Sequence, residues 1–220
     1  MFLKICGITS SEDALLATAL GADALGFVFA PSGRRVAVPS VEAIVNQLPH
    51  EVMAVGVFRN ESRERVVKTV NGIGLRAAQL HGRESPEDCR WVAERVPVTI
   101  RALASGSPDL ERFDEFGADL LLLDSPPPGS GEVFDWASAE SASCPRKLVL
   151  AGGLTPDNVV KAIRIVDPFG VDVSTGVESE PGRKDPRLMK AFMEAVRSNE
   201  ADDRSGRDRQ ERRPFKIGRA

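Results

Sequence analysis

Short strand-like runs alternate with helix-like runs through nearly the whole chain, and this alternation limits the fold more than any single residue does. The strand-like runs fall at 2–8, 24–29, 52–58, 75–80, 98–102, 120–124, 147–151 and 170–174. Amphipathic runs follow them at 11–20, 40–48, 62–70, 86–95, 110–116, 134–140, 156–166 and 185–197. Each amphipathic run has Ser, Asp or Pro near its start, where such residues satisfy or lack the free amides of a first helical turn. Parallel strands need crossover connections, and helices supply them, so the pattern predicts a parallel sheet covered by helices. Eight units is the number that closes a (β/α)8 barrel. An open doubly wound sheet is the competing architecture. It is disfavoured because no GxGxxG follows the first strand, while glycine-rich turns follow strands seven and eight, where barrels build phosphate sites.

Closure makes a checkable demand on the first strand. Lys4 and Cys6 share one face of it, opposite Leu3 and Ile5. An inward Lys4 needs a buried partner. Asp172, near the end of the last strand, is adjacent only if the sheet closes, so a Lys4–Asp172 contact is expected.

Composition narrows the class. A chain of 220 residues with 42% hydrophobic content builds one domain, read as a barrel over 1–198 with a charged tail over 199–220. That tail is rich in Arg, Asp and Glu and poor in apolar residues, and is expected to be disordered. A net charge of −3 argues against a nucleic-acid partner. Three cysteines, Cys6, Cys89 and Cys144, suit a reducing compartment. Only His50 and His81 accompany them, so no structural metal site is expected. The first residues read as strand rather than leader, and no apolar run would span a bilayer. A cytoplasmic protein without membrane contact is the expectation.

In a barrel, residues far apart in sequence meet at the C-terminal ends of the strands. Cys6 ends strand one. It is either a small buried hydrophobe or a general base, the latter if its thiolate is stabilised. Asp124 ends strand six, before Ser125 and three prolines. It either starts an Asx turn or, at a partly dry mouth, serves as a general acid. An acid and a base on different strands suit a proton-shuffling isomerase. Gly152 and Gly153 after strand seven, with Ser174, Thr175 and Gly176 after strand eight, offer backbone amides for a phosphate. Arg35 is a solvated turn residue or a fork for a substrate carboxylate. His81 is read as an organiser of its loop. The proline- and glycine-rich segment 126–132 reads as a lid or as a plain surface connection.

Seven motifs, at every strand end but the fifth and in chain order, carry a family resemblance. They are KICGIT at 4–9, GADALGFVF at 21–29, VGVF at 55–58, QLHG at 79–82, LLLDS at 121–125, AGGLTPDNV at 151–159 and DVSTGVESEPGRKD at 172–185. The chain resembles phosphoribosylanthranilate isomerase of tryptophan biosynthesis. The resemblance implies an Amadori rearrangement of N-(5-phospho-β-D-ribosyl)anthranilate to 1-(2-carboxyphenylamino)-1-deoxy-D-ribulose 5-phosphate. It implies Asp124 as the acid that protonates the furanose oxygen and Cys6 as the base that removes the C2′ proton. It further implies Arg35 on the anthranilate carboxylate and the late glycine turns on the phosphate. No cofactor is implied, the ligand is a phosphorylated small molecule, and the family contains both monomers and homodimers. Three positions depart from or blur the family pattern. Glu132 follows GSG where a lysine is common, PGRK stands for PGKK, and Arg34 beside Arg35 blurs the carboxylate clamp by one position. The competing readings are another sugar-phosphate barrel isomerase and a catalytically silent phosphate-binding barrel.

Overall fold

The computed structural model describes residues 1–125, 136 and 147–206, with side chains through 199. Eight parallel strands close into a barrel in chain order. They are β1 (Phe2–Cys6), β2 (Ala24–Val28), β3 (Met53–Phe58), β4 (Ala77–Leu80), β5 (Thr99–Ala104), β6 (Leu120–Asp124), β7 (Leu148–Leu150) and β8 (Gly170–Val173). The period-two alternation of each strand sorts its side chains. Ala24, Met53, Val55, Ile100, Leu122 and Val149 fill the barrel interior. Their neighbours Leu25, Phe27, Ala54 and Ala78 point outward, into one apolar cluster with helix residues such as Ala14, Val41, Val66 and Phe192.

β1 pairs with β8 in the register that sets Lys4 beside Asp172. Their side chains meet at 2.8 Å, with Lys4 fully buried. The expected contact is present, and it lies on the seam that makes the sheet a barrel.

The helices begin where their capping residues stand. In α1 (Ser11–Ala19) the Ser10 hydroxyl accepts from the Asp13 amide. In α4 (Pro86–Ala93) the Ser85 hydroxyl does the same for Asp88. α2 (Val38–Val45) opens with Pro39 in its first turn, slightly ahead of the expected start. α3 (Arg63–Gly72) and α5 (Val159–Val166) fall within or near their expected runs.

Two expectations need correction. The helix expected at 110–116 is instead a pair of 3-10 turns, Pro108–Leu110 and Phe113–Phe116. Phe113 and Phe116 are both buried, and a three-residue spacing stacks them on one side of a 3-10 turn. Gly117, at φ +62°, then ends the segment. The last helix, α6 (Pro186–Gly206), runs past the expected end at Asn199 and into the segment read as tail. The rest of that tail, the lid segment 126–132 with Glu132, most of the helix expected at 134–140, and Cys144 lie outside the described residues.

One element was not expected. β9 (Glu178–Glu180) and β10 (Arg183–Lys184) form a small antiparallel pair after β8. This pair is fastened to the start of the chain. The Thr9 hydroxyl donates to the Gly182 carbonyl, and the Lys184 amide donates to Asp13 at 3.2 Å. Among the described residues no helix is long and apolar enough to cross a membrane.

Breaking a buried ion pair from one side leaves an uncompensated charge, which costs about 3–5 kcal/mol. Asp172→Asn is therefore expected to lower stability in urea unfolding by that order. Removing both charges, in Lys4→Met with Asp172→Asn, should cost clearly less. Equal losses for the single and double variants would mean the seam is not held by this pair.

Candidate active site

The C-terminal strand ends surround one mouth, in which Cys6, His81 and Asp124 face the loops after β7 and β8. Gly152, Gly153, Ser174, Thr175 and Gly176 all border the same cavity. Arg35 is the one expected site residue that does not. It lines a neighbouring cavity with Phe29, Phe58 and Arg65, and the two cavities share Ala30, Pro31 and Arg59 as their common edge.

Cys6 ends β1 with its side chain turned inward, 8% exposed. Burial pushes its thiol above the ordinary range, against the pull of the Lys4 and Lys184 cations, while Asp172 adds to the rise. Lys4 itself loses hydration on burial, but Asp172 and the thiol outweigh that loss and hold it above its ordinary value. It is an ammonium at neutral pH. Cys89 makes a contrast: it is wholly buried on α4, does not line this mouth, and is pushed by burial up to about 12.

Asp124 closes β6 and is 5% exposed. The Ser125 amide donates to its Oδ1 at 2.8 Å. Its Oδ2 lies 3.2 Å from His81 Nε2, although the pair is not aligned as a hydrogen bond. The Gln79 side-chain amide donates to His81 Nδ1 at 3.0 Å, and this assigns the ring proton of neutral His81 to Nε2, facing Asp124. His81 thus links the fourth strand to the carboxyl group on the sixth, a closer involvement with Asp124 than loop organisation alone.

The two glycine loops are built against each other. A Cβ on Gly176 would stand 1.9 Å from the Leu154 carbonyl oxygen, so only glycine lets the backbones approach this closely. Asn158 braces the first loop: its Oδ1 accepts from the Thr155 amide and its Nδ2 donates to the Gly153 carbonyl, both at 2.8 Å. The amides of Gly152, Gly153, Thr175 and Gly176 donate to no group among the described residues. Backbone amides without a protein partner beside a cavity are the groups that anions such as phosphate use.

Sequence reading did not find the ion network behind these loops. Glu178 takes Arg34 Nε at 2.7 Å and Arg34 Nη2 at 2.6 Å, in a bidentate fork. The same carboxylate takes Lys184 Nζ at 2.8 Å, and Lys184 also donates to the Ser174 carbonyl at 3.2 Å. Burial alone would raise Glu178, yet the Arg34 and Lys184 hydrogen bonds hold it below the usual carboxylate range. The network ties the loop after β2 to the loop after β8. Its only signal in the sequence is a cluster of charges inside DVSTGVESEPGRKD, which resembles any solvated loop. Lys184 of that run is buried while Arg183, the departure from PGKK, is exposed.

The described residues contain no group of His, Cys, Asp and Glu arranged to hold a metal ion. The arrangement is a carboxyl group and a thiol across a mouth from two glycine loops.

A family model described as N-(5′-phosphoribosyl)anthranilate (PRA) isomerase matches residues 3–195. The chain belongs to the phosphoribosylanthranilate isomerase family. Among members of this family, the enzyme named N-(5′-phosphoribosyl)anthranilate isomerase from Desulforudis audaxviator is 50% identical over 202 residues, which are 89% of this chain and 97% of that one. The crystal structure of the phosphoribosyl anthranilate isomerase from Thermotoga maritima superimposes with a TM-score of 0.84 at 43% identity, covering 90% of this chain and 99% of the other. A phosphoribosyl anthranilate isomerase in complex with reduced 1-(o-carboxyphenylamino)-1-deoxyribulose 5-phosphate superimposes with a TM-score of 0.80 at 41% identity, covering 90% of this chain and 99% of the other.

Gly176→Ala should force the two loops apart and weaken the anion site. Steady-state kinetics are expected to show KM for the phosphorylated substrate rising about tenfold or more, a loss of about 1.4 kcal/mol. An unchanged KM would show that the packed loops do not bear on the phosphate.

Proposed function

We propose that the chain carries out its family's Amadori rearrangement of N-(5-phospho-β-D-ribosyl)anthranilate to 1-(2-carboxyphenylamino)-1-deoxy-D-ribulose 5-phosphate, with Asp124 as acid and Cys6 as base. The observation that carries this reading is that both side chains open into the cavity bordered by the glycine loops. A phosphate on the free loop amides would lay the sugar across the mouth, between β1 and β6.

The protonated Asp124 carboxyl gives its proton to the furanose oxygen as the C1′–O bond breaks. The nitrogen lone pair forms the C1′=N bond of a Schiff base. The Cys6 thiolate then takes the C2′ proton, and the released electron pair makes the C1′=C2′ bond while neutralising the iminium nitrogen. The resulting enolamine tautomerises to the aminoketose. Cys6 and Asp124 each exchange one proton, so the rearrangement is redox-neutral within the substrate.

His81 presents Nε2 to Asp124 and orients the acid. Arg35 is assigned to the anthranilate carboxylate. Arg34 is committed to Glu178, whereas Arg35 is exposed and forms no ion pair among the described residues. With the phosphate beside β7 and β8, the anthranilate ring points towards β2 and β3, where the cavity lined by Arg35 adjoins the mouth.

The test generates the substrate in place from anthranilate and phosphoribosyl pyrophosphate and follows loss of its fluorescence. Well-folded protein without turnover would remove the reading. Cys6→Ala and Asp124→Asn are each expected to lower kcat by about 10² or more, the usual scale of a lost general acid or base. Arg35→Ala should act mainly on KM, as loss of uniform binding does. A fall in kcat at constant KM would move the carboxylate contact elsewhere.

A further inference from the structure

Lys4 is the buried charge for which the reaction steps above have no use. The interior of the barrel around it is filled by alanine, methionine, valine and leucine. Placing an ammonium and a carboxylate there costs several kcal/mol of lost hydration per ion, and an apolar pair would close the seam at least as well. Stability alone therefore does not explain the pair.

What distinguishes the position is its neighbour. Lys4 and Cys6 lie on the same face of β1, and the Lys4 ammonium, bound to Asp172 at 2.8 Å, acts on the Cys6 thiol from the same pocket beside Gly26. Gly26 on the adjoining strand makes this possible. A Cβ there would stand 2.7 Å from Cys6 Sγ and 3.1 Å from Lys4 Nζ, so both atoms occupy the space a side chain would fill. Gly26 is opposite Cys6 in the β1–β2 register.

We propose that Lys4 is a positioning residue for the isomerisation: its ammonium, anchored by Asp172, is the counter-ion that favours the thiolate of Cys6 and aims Sγ into the mouth until it takes the substrate proton. The proposal rests on Cys6 being the base. Lys4 stays protonated throughout and donates no proton to substrate.

The other charges around Cys6 do not supply this function. Asp172 on β8 is negative and works against a thiolate. Lys184 on β10 and Arg34 in the loop after β2 also act on Cys6, but they share the Glu178 carboxylate, which removes part of their charge, and Lys184 acts on the thiol less than Lys4 does. β2 contributes only Gly26 at this level. Lys4 is the cation that shares the space beside Gly26 with the sulfur and acts on it most strongly.

The sign follows directly. A cation beside a thiol favours the thiolate, so its removal moves deprotonation of Cys6 to higher pH. Alkylation by iodoacetamide reads this without turnover, because the thiolate is the reacting species. The rate of Cys6 alkylation is followed against pH by peptide mass spectrometry in the full chain and in Lys4→Met. The midpoint is expected to rise by about one pH unit or more, with kcat/KM at pH 7 falling about tenfold and KM changing little, since one unit is a tenfold change in thiolate. Lys4→Met with Asp172→Asn repeats the measurement without a stranded carboxylate, and keeps the test available if the single variant fails to fold. Its midpoint should also rise, because the nearer charge is the one lost. A folded variant whose alkylation midpoint stays at the wild-type value overturns the proposal. Retained turnover in Cys6→Ala would instead remove the base assignment, and it would do so whatever the alkylation midpoint shows.

Discussion

The pairing of β1 with β8, at the register that sets Lys4 beside Asp172, is the constraint on which the rest of the structure depends. It joins the first strand to the last, at the register that turns an eight-stranded sheet into a barrel. Closure then brings the ends of all eight strands around one mouth. Without it Cys6 on β1 and the anion loops after β7 and β8 would sit at opposite edges of an open sheet. The Lys4–Asp172 pair thus lies on the structural seam and beside the candidate base at the same position.

Two charge systems divide the work around that seam. The inner one, Lys4 with Asp172, faces the sulfur from below. The outer one, Arg34 and Lys184 on Glu178, fastens the loop after β2 to the loop after β8. Burial of the outer system leaves it little screened by salt, so the loops bearing Thr175 and Gly176 are held by a stiff brace. Arg35, one residue further along, is exposed and forms no ion pair among the described residues, which suits a group that must wait for a ligand.

The barrel was legible because it depends on repetition. Eight alternations of period-two and helical patterning are hard to place in any other fold, and the Lys4–Asp172 contact could be deduced from closure alone. The site was legible where chemistry and strand ends coincide, at Cys6, Asp124 and the glycine turns. It was not legible where a residue's role depends on burial that sequence does not reveal. Glu178 and Lys184 sit in a polar run that looks solvated, yet Lys184 is 2% exposed. Gln79 reads as an ordinary polar strand residue until its side chain meets His81 Nδ1. The 3-10 turns at Pro108–Leu110 and Phe113–Phe116 were misjudged because a seven-residue amphipathic run satisfies either helix type. The tight phenylalanine spacing was the signal that favours the shorter turn.

The fastenings between the two ends of the chain also bear on the order of synthesis. Lys4 waits 168 residues for Asp172, Thr9 waits 173 for Gly182, and Asp13 waits 171 for the Lys184 amide. A ribosome delivers the thiol among the first residues and its surroundings among the last. Until β8 and β10 emerge, the first strand carries an ammonium with no counter-charge and cannot bury it at reasonable cost. The nascent chain is therefore chemically silent, and a chain cut short before residue 172 lacks the group that closes it. In this barrel the mouth is assembled only once the chain has been made through β10.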